Sequence, residues 1–287
     1  MTETAGRTVS ELLEEASTRL RDAQVADPRR EAMALVALVL GTDRGGVVSS
    51  KAHVADGETA RRLTELLAAR ERRVPLQHLA GVTEFHGLEF EVGPEVLIPR
   101  PETEGLVDAV LDAALPAASR VADLGTGSGC IAVALAVARR SWQLVAVDVS
   151  ADAVGVAARN AAKHGVAERV IVMTRDFGAV PDRERGIFDA VVSNPPYVAD
   201  DEWRTLQPEV RDHEPRIALV PGPTGNEGYE AVARAAGAML RPDGLLALEF
   251  GWKSEEAARA IVLRHGFREI AVSADLQGIP RVLTARR

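Results

Sequence analysis

From Arg120 onward the chain alternates short apolar runs rich in β-branched residues with Ala-rich stretches of helical period. That alternation restricts the fold to an α/β architecture, a mostly parallel sheet with helices on both faces. Strands are expected at Arg120–Leu124, Gln143–Val147, Val170–Thr174, Phe188–Ser193 and Leu245–Phe250. Helices are expected at Cys130–Arg139, Ala151–His164, Tyr229–Leu240 and Ser254–His265, and Glu269–Ser273 and Arg281–Ala285 read as closing strands of a seven-stranded sheet. Ligands on such sheets bind outside the carboxyl ends of the strands, so motifs at those ends carry the functional reading.

The first 80 residues have a different period. Val9, Leu12, Leu13, Ala16 and Leu20 recur at helical spacing. Asp27-Pro28 reads as an N-cap followed by proline at the first helical position, opening a helix through Met33, Leu35, Leu38 and Leu40 that stops at Gly41. A third helix is expected over Glu58–Arg73, ended by Pro75. Residues 1–74 hold no glycine loop, ligand cluster or catalytic pair. A small helical bundle over 1–80, shaping or recognising a partner, is the expectation. Thr83 to Val92 alternates around a central glycine and reads as a β-hairpin. The prolines of Ile98-Pro99-Arg100-Pro101 hold the next stretch extended, with a helix starting near Pro101. Residues 81–100 are therefore a hairpin linker into a domain over 101–287.

Composition removes several alternatives. Hydrophobic residues make up 46% of the 287, which excludes a disordered chain. A single cysteine, Cys130, excludes a disulfide framework and a cysteine metal site, and the six histidines show no metal spacing, so no metal is expected. The net charge of −8 offers no evident basic track for nucleic acid, and lysine occurs only at Lys51, Lys163 and Lys253. Met1-Thr2-Glu3-Thr4-Ala5-Gly6-Arg7 lacks a charged-then-apolar signal pattern, and apolar runs such as Ile131 to Ala138 are too short to span a bilayer. A cytoplasmic protein, monomeric, with no membrane association, is expected.

Asp123-Leu124-Gly125-Thr126-Gly127-Ser128-Gly129 follows one strand and opens a helix, and Asp148 ends the next strand. Glycines let backbone approach a ligand closely, and a carboxylate about 20 residues on suits ribose hydroxyls. Together they describe a nucleoside site. A dehydrogenase would use G-x-G-x-x-G to cradle a pyrophosphate. Here the spacing is G-x-G-x-G, with Cys130 where a third glycine would fall. That suits S-adenosylmethionine, which has no phosphates. Asp176-Phe177 follows the third strand, where the aromatic ring can stack on adenine and the acid can accept from its exocyclic amine. Cys130 reads as a small buried residue, since no base stands beside it.

Asn194-Pro195-Pro196-Tyr197 ends the fourth strand and is the most specific feature of the chain. The two prolines rigidify the turn and remove two backbone donors. Asn194 offers a side-chain carbonyl, Pro195 a backbone carbonyl and Tyr197 a ring face, a set that suits an NH2 group on a planar system. An amide nitrogen is a poor nucleophile because its lone pair is shared with the carbonyl. Two acceptors on its N–H bonds favour charge on the nitrogen as the transition state forms, and alignment with a sulfonium methyl supplies proximity. No general base is required in advance.

These motifs resemble those of the protein-(glutamine-N5) methyltransferases that act on peptide chain release factors. The resemblance covers residues 75–287, and residues 1–74 in helical character only. It is carried by Pro75-Leu76-Gln77-His78-Leu79-Ala80-Gly81, by Leu97-Ile98-Pro99-Arg100-Pro101-Glu102-Thr103-Glu104, by Asp123 to Gly129, by Asn194 to Tyr197 and by Glu209-Val210-Arg211-Asp212-His213-Glu214-Pro215. Asp275-Leu276-Gln277-Gly278 with Arg281-Val282 resembles the family's ending.

The resemblance implies a class I, Rossmann-like methyltransferase domain preceded by a helical domain that helps to hold the release factor, with the glutamine of a Gly-Gly-Gln tripeptide as target. It implies that Gly125, Thr126, Gly127, Ser128 and Gly129 contact the methionine part and sugar of S-adenosylmethionine, that Asp148 binds the ribose, and that Asp176 and Phe177 lie at the adenine. Asn194 would also border the cofactor. Asn194 and Pro195 would grip the glutamine amide, with Pro196 and Tyr197 packing around it. The stretch Gly222 to Tyr229 departs from the family's usual pattern. For Arg100 two roles stay open, a hold on the cofactor carboxylate or a tie of the linker to the domain, and His213 reads as ordering a loop. Rival readings are glutamine methylation of a ribosomal protein, N-methylation of a nucleic-acid base, a non-catalytic cofactor-binding adaptor, and a dehydrogenase that would bind NADH.

Overall fold

A computed structural model describes residues 6–287; Met1 to Ala5, part of the N-terminal stretch read for a signal pattern, lies outside the described residues. The chain divides into two compact units. One is made of residues 6–81 with Pro208–His213, the other of Val82–Gln207 with Glu214–Arg287.

In the first unit, α1 (Val9–Asp22) opens with a capping box. The Glu11 amide donates to the Thr8 hydroxyl at 3.2 Å and the Thr8 amide donates to the Glu11 carboxylate at 2.7 Å. Helix α2 (Pro28–Leu40) starts differently from the expected cap. Asp27 sits in the left-handed region at φ 49° and its side chain caps nothing, so Pro28, with its preset φ, makes the start. Helices α3 (Arg44–Ser49), α4 (Gly57–Glu71) and α5 (Leu76–Ala80) complete the N-terminal part. No periodicity marks α3 and α5, which are six and five residues long. Leu12, Leu20, Leu35, Leu63 and Leu67 form the buried core.

Arg70 is buried among these helices and carries a charge. Its Nε donates to Glu31 at 2.6 Å and its Nη2 to Glu209 at 2.9 Å. Arg73 donates to Glu209 at 2.8 Å, and His213 Nε2 donates to the Arg72 carbonyl at 3.0 Å. Burial opposes the Arg70 charge, but the bonds to Glu31 and Glu209 outweigh it and raise its pKa. These bonds hold the short helix at Pro208–His213 in the unit.

In the second unit, β1 (Val82–Phe85) and β2 (Leu88–Glu91) pair antiparallel. The turn between them, His86-Gly87, has φ of 51° and 70°, as a two-residue hairpin turn of matching twist requires. After α6 (Glu104–Asp112), strands β3 (Arg120–Leu124), β4 (Gln143–Asp148) and β5 (Val170–Thr174) alternate with α7 (Cys130–Ala138) and α8 (Ala151–Lys163). Strand β6 (Phe188–Ser193) is followed by α9, the Pro208–His213 helix, then by α10 (Glu227–Met239), β7 (Leu240–Glu249), α11 (Glu255–Arg264), β8 (Arg268–Ala274) and β9 (Pro280–Arg286).

The sheet order is β5-β4-β3-β6-β7-β9-β8. The first five of these are parallel, and β9 runs antiparallel to both neighbours. This is the mostly parallel seven-stranded sheet expected from the sequence. Helix α7, apolar on every side, is the core helix of one face, and the other face packs on Tyr229, Val232 and Met239 of α10. The chain steps outward from β3 to β5 and returns to β6 beside β3. The strand order switches there, and the carboxyl ends of β3 and β6 become neighbours.

Candidate active site

The loop after β3 is tied to β4, where the amides of Gly125 and Thr126 both donate to the Val147 carbonyl at 2.9 and 3.0 Å. Gly129 closes it at φ 80°, and a Cβ there would lie 3.0 Å from Ala157 Cβ, so only glycine lets the loop meet α8. Asp148, at the end of β4, accepts from the Gly127 amide at 2.9 Å and from the Ser150 amide at 2.9 Å. Each carboxylate oxygen keeps a lone pair for a further donor.

Asp123 is fully buried at the end of β3. Thr126 donates to its Oδ2 at 2.6 Å, and its Oδ1 has no partner. Burial pushes this carboxyl up to about 7, against the hydrogen bond of Thr126. Cys130 is buried beside it and its thiol is pushed up to about 12, chiefly by burial, which keeps it protonated and unreactive.

Strand β6 is held to β3 by the Ser193 hydroxyl, which donates to the Leu124 carbonyl at 2.6 Å. Asn194 follows, and its Nδ2 donates to Thr103 Oγ1 at 3.2 Å. The carbonyls of Pro196 and Tyr197 are closed over by glycines. A Cβ on Gly228 would lie 2.2 Å from the Pro196 oxygen, and one on Gly225 2.5 Å from the Tyr197 oxygen. The divergent stretch Gly222 to Tyr229 thus packs on the backbone of the motif. The Tyr197 ring lies against Gly251, and its hydroxyl pKa is raised by burial and then by the Glu249 charge.

One cavity of about 350 Å3 opens over these strand ends. Gly125, Gly127, Asp148, Asp176, Phe177, Asn194 and Pro196 line it. Of the other residues singled out from sequence, Thr126 and Ser128 are buried beneath the loop, Gly129 faces α8, Pro195 is buried, and Tyr197 packs beside Gly251. The cavity also has walls that carry no sequence signature. These include Val96 and Leu97 before α6, Ile217 and Val220 after α9, and Glu227 on α10, whose Oε2 is buried with no partner. Arg100 pairs with Glu214 at 2.6 Å, and the same carboxylate accepts from the Ile98 amide, which favours the linker-tying role. Among the described residues no group of His, Cys, Asp or Glu could hold a metal ion, and no helix is long and apolar enough to cross a membrane.

The fold and the cavity together are those of a Rossmann-like methyltransferase. The "Methyltransferase small domain" family matches residues 103–208, and the "PrmC N-terminal domain" family matches residues 11–81. A release factor glutamine methyltransferase of Nitratidesulfovibrio vulgaris is 38% identical over 99% of this chain and 97% of its own length. One from Cereibacter sphaeroides is 42% identical over 96% and 98%. The chain belongs to the release factor glutamine methyltransferase family. Among solved structures, the hMettl16 catalytic domain, determined in complex with a 3′UTR hairpin, shares the fold at a TM-score of 0.55 and 18% identity, over 77% of this chain and 81% of that one.

Proposed function

We propose that this chain transfers a methyl group from S-adenosylmethionine to the side-chain amide nitrogen of the glutamine in a Gly-Gly-Gln segment of peptide chain release factors. The observation that carries the reading is the meeting of two motifs on one cavity. Asn194 stands across from Gly125, Gly127, Asp148 and Phe177.

The residues present fit the cofactor. The cavity volume lies within the range of small-ligand sites. A Cβ at Gly127 would meet no protein atom within 4 Å, so the loop leaves a cradle on the cavity side. Asp148 would hold the ribose hydroxyls, with Phe177 against the adenine and Asp176 accepting from its amine. When bound, S-adenosylmethionine supplies a sulfonium methyl, which needs no redox chemistry and no metal.

The protein's own part is alignment and acceptance. Asn194 has its N–H end engaged by Thr103, which leaves its carbonyl oxygen to accept from the substrate amide. A second acceptance at the Pro195 carbonyl would grip the other N–H. The two would pull electron density onto the nitrogen where charge develops, and the proton released from the amide nitrogen would pass to solvent water. Pro196 and Tyr197 border the planar amide.

The test is labelled S-adenosylmethionine with a purified release factor, beside a factor whose Gly-Gly-Gln glutamine is replaced. Label on the intact factor alone supports the proposal. Label on neither, or on both, overturns the assigned site and redirects the search to ribosomal proteins.

A further inference from the structure

Asn160 is fully buried toward the end of α8, an Ala-rich helix in which asparagine is a poor helix former. A buried side-chain amide costs the fold unless its donors and acceptor are met. Here they are. Its Nδ2 donates to the Glu91 carbonyl at 3.0 Å and to the Ser128 carbonyl at 2.9 Å, and its Oδ1 accepts from the Glu91 amide at 2.8 Å. Carbonyls only accept and a backbone amide only donates, so a single orientation of the Asn160 amide satisfies the three bonds. Toward Glu91 the side chain does what a neighbouring strand would do, bonding the amide and the carbonyl of one residue of β2 at once.

These bonds join the two walls of the cavity. Ser128 lies in the loop whose Gly125 and Gly127 form one wall. Gly129, next in the chain, packs on Ala157, three residues before Asn160 on α8. Glu91 ends β2, and the chain runs on from it through Val92 to Val96 and Leu97, which line the cavity. Val92 and Val96 cluster with Ala153 and Val156 of α8. One helix therefore carries both walls, and Asn160 bonds directly to the segment behind each.

We infer that Asn160 is a positioning residue for the cofactor: it fixes the glycine loop and the segment leading to Val96 against each other, and so sets the cavity to the shape that S-adenosylmethionine fits. The inference rests on the reading of this cavity as the S-adenosylmethionine site. An ionised aspartate lacks both donors, and leucine, of similar size, lacks donors and acceptor alike. Linkage makes the role measurable. A closed tie that favours cofactor binding by some factor must itself be favoured by bound cofactor to the same factor. The Glu91 amide bonds to Asn160, so its hydrogen exchange reports the opening of the tie.

Two measurements on the full chain test this, at a temperature where circular dichroism shows each variant used to be folded. The first is calorimetry with S-adenosylmethionine. Asn160→Leu is expected to weaken binding by about tenfold. Arg159→Ala removes the neighbouring ion pair to the Glu91 carboxylate, leaves the tie intact, and is expected to stay within about twofold. A role in stability alone would lower the Tm of Asn160→Leu and leave its Kd at the wild-type value, and that result overturns the inference. The second is hydrogen exchange at the Glu91 amide of the wild type, which depends on no variant folding. Saturating S-adenosylmethionine is expected to slow it by a similar factor, about tenfold. Exchange indifferent to the cofactor overturns the inference. A wild type that binds no S-adenosylmethionine overturns the cofactor reading and this inference with it, whereas a wild type that binds it, with either measurement unmoved, overturns the inference alone.

Discussion

Both units bury matched charges, but only the sheet unit also buries acids without a counter-ion among the described residues. In the helical unit, Arg70 is 3% exposed, but two carboxylates meet it, and only its Nη1 goes unbonded. In the sheet unit, Asp123 and Glu249 are as deeply buried and no cation lies within ion-pair distance of either among the described residues. Each keeps one oxygen without a partner, and each is pushed up to about 7. A buried charge matched by counter-charges acts as architecture, because breaking the pair leaves a stranded ion. A buried acid without one is costly to the fold, and in this molecule both such acids stand at strand ends beside the cavity motifs. Perturbed acids of that kind mark functional sites more often than structural ones.

The largest effect expected falls on the cavity. Asn194→Ala should lower kcat by about two to three orders of magnitude, as removal of one preorganised polar partner of a transition state does, while calorimetry finds cofactor binding largely retained. Near-normal turnover would break the assignment of the strand ends as the reacting side. Next comes the helical unit. Arg70→Ala strands Glu31, leaves Glu209 with Arg73 alone, and should cost about 3 kcal/mol in denaturant unfolding. A neutral result would show that matched burial is not what holds that unit.

The third prediction concerns pH. The Asp123 carboxyl is raised on folding, so the native state holds its proton over a range where the unfolded chain has lost it. Its stabilising contribution is present at low pH and is lost as pH rises through about 7. Asp123→Asn lacks that loss, so between about pH 5 and about pH 8 its Tm should fall less than the wild type's. Parallel curves would place the unpaired acid outside the linkage. The smallest effect expected is Phe177→Ala, which should weaken S-adenosylmethionine binding by about fivefold, roughly 1 kcal/mol of ring contact, read by isothermal titration.

Much of the fold was legible because it is written in local periods. The 2.0 and 3.6 repeats locate the strands and the long helices, and Gly125 to Gly129 can only be a strand-to-helix turn with close backbone approach. Short elements escaped. Helices α3 and α5 are too brief to complete an amphipathic repeat, and Asp27 looks like a cap in sequence but lies in the left-handed region. The stretch Glu209 to Pro215 reads as one motif, yet the structure divides it. Glu209 bonds to Arg70 and Arg73, while Glu214 bonds to Arg100 and the Ile98 amide.

The sequence alone determined the α/β class, the order of its elements and the chemistry available at the ends of β3, β4 and β6, because each depends on neighbours within a few residues. Only the tertiary structure decided which residues share the cavity, that Arg100 pairs with Glu214, and that Thr103 accepts from Asn194. Those contacts join positions 114 and 91 residues apart. Burial of a carboxylate depends on what the sheet and its helices place around it, and no local pattern carries that information.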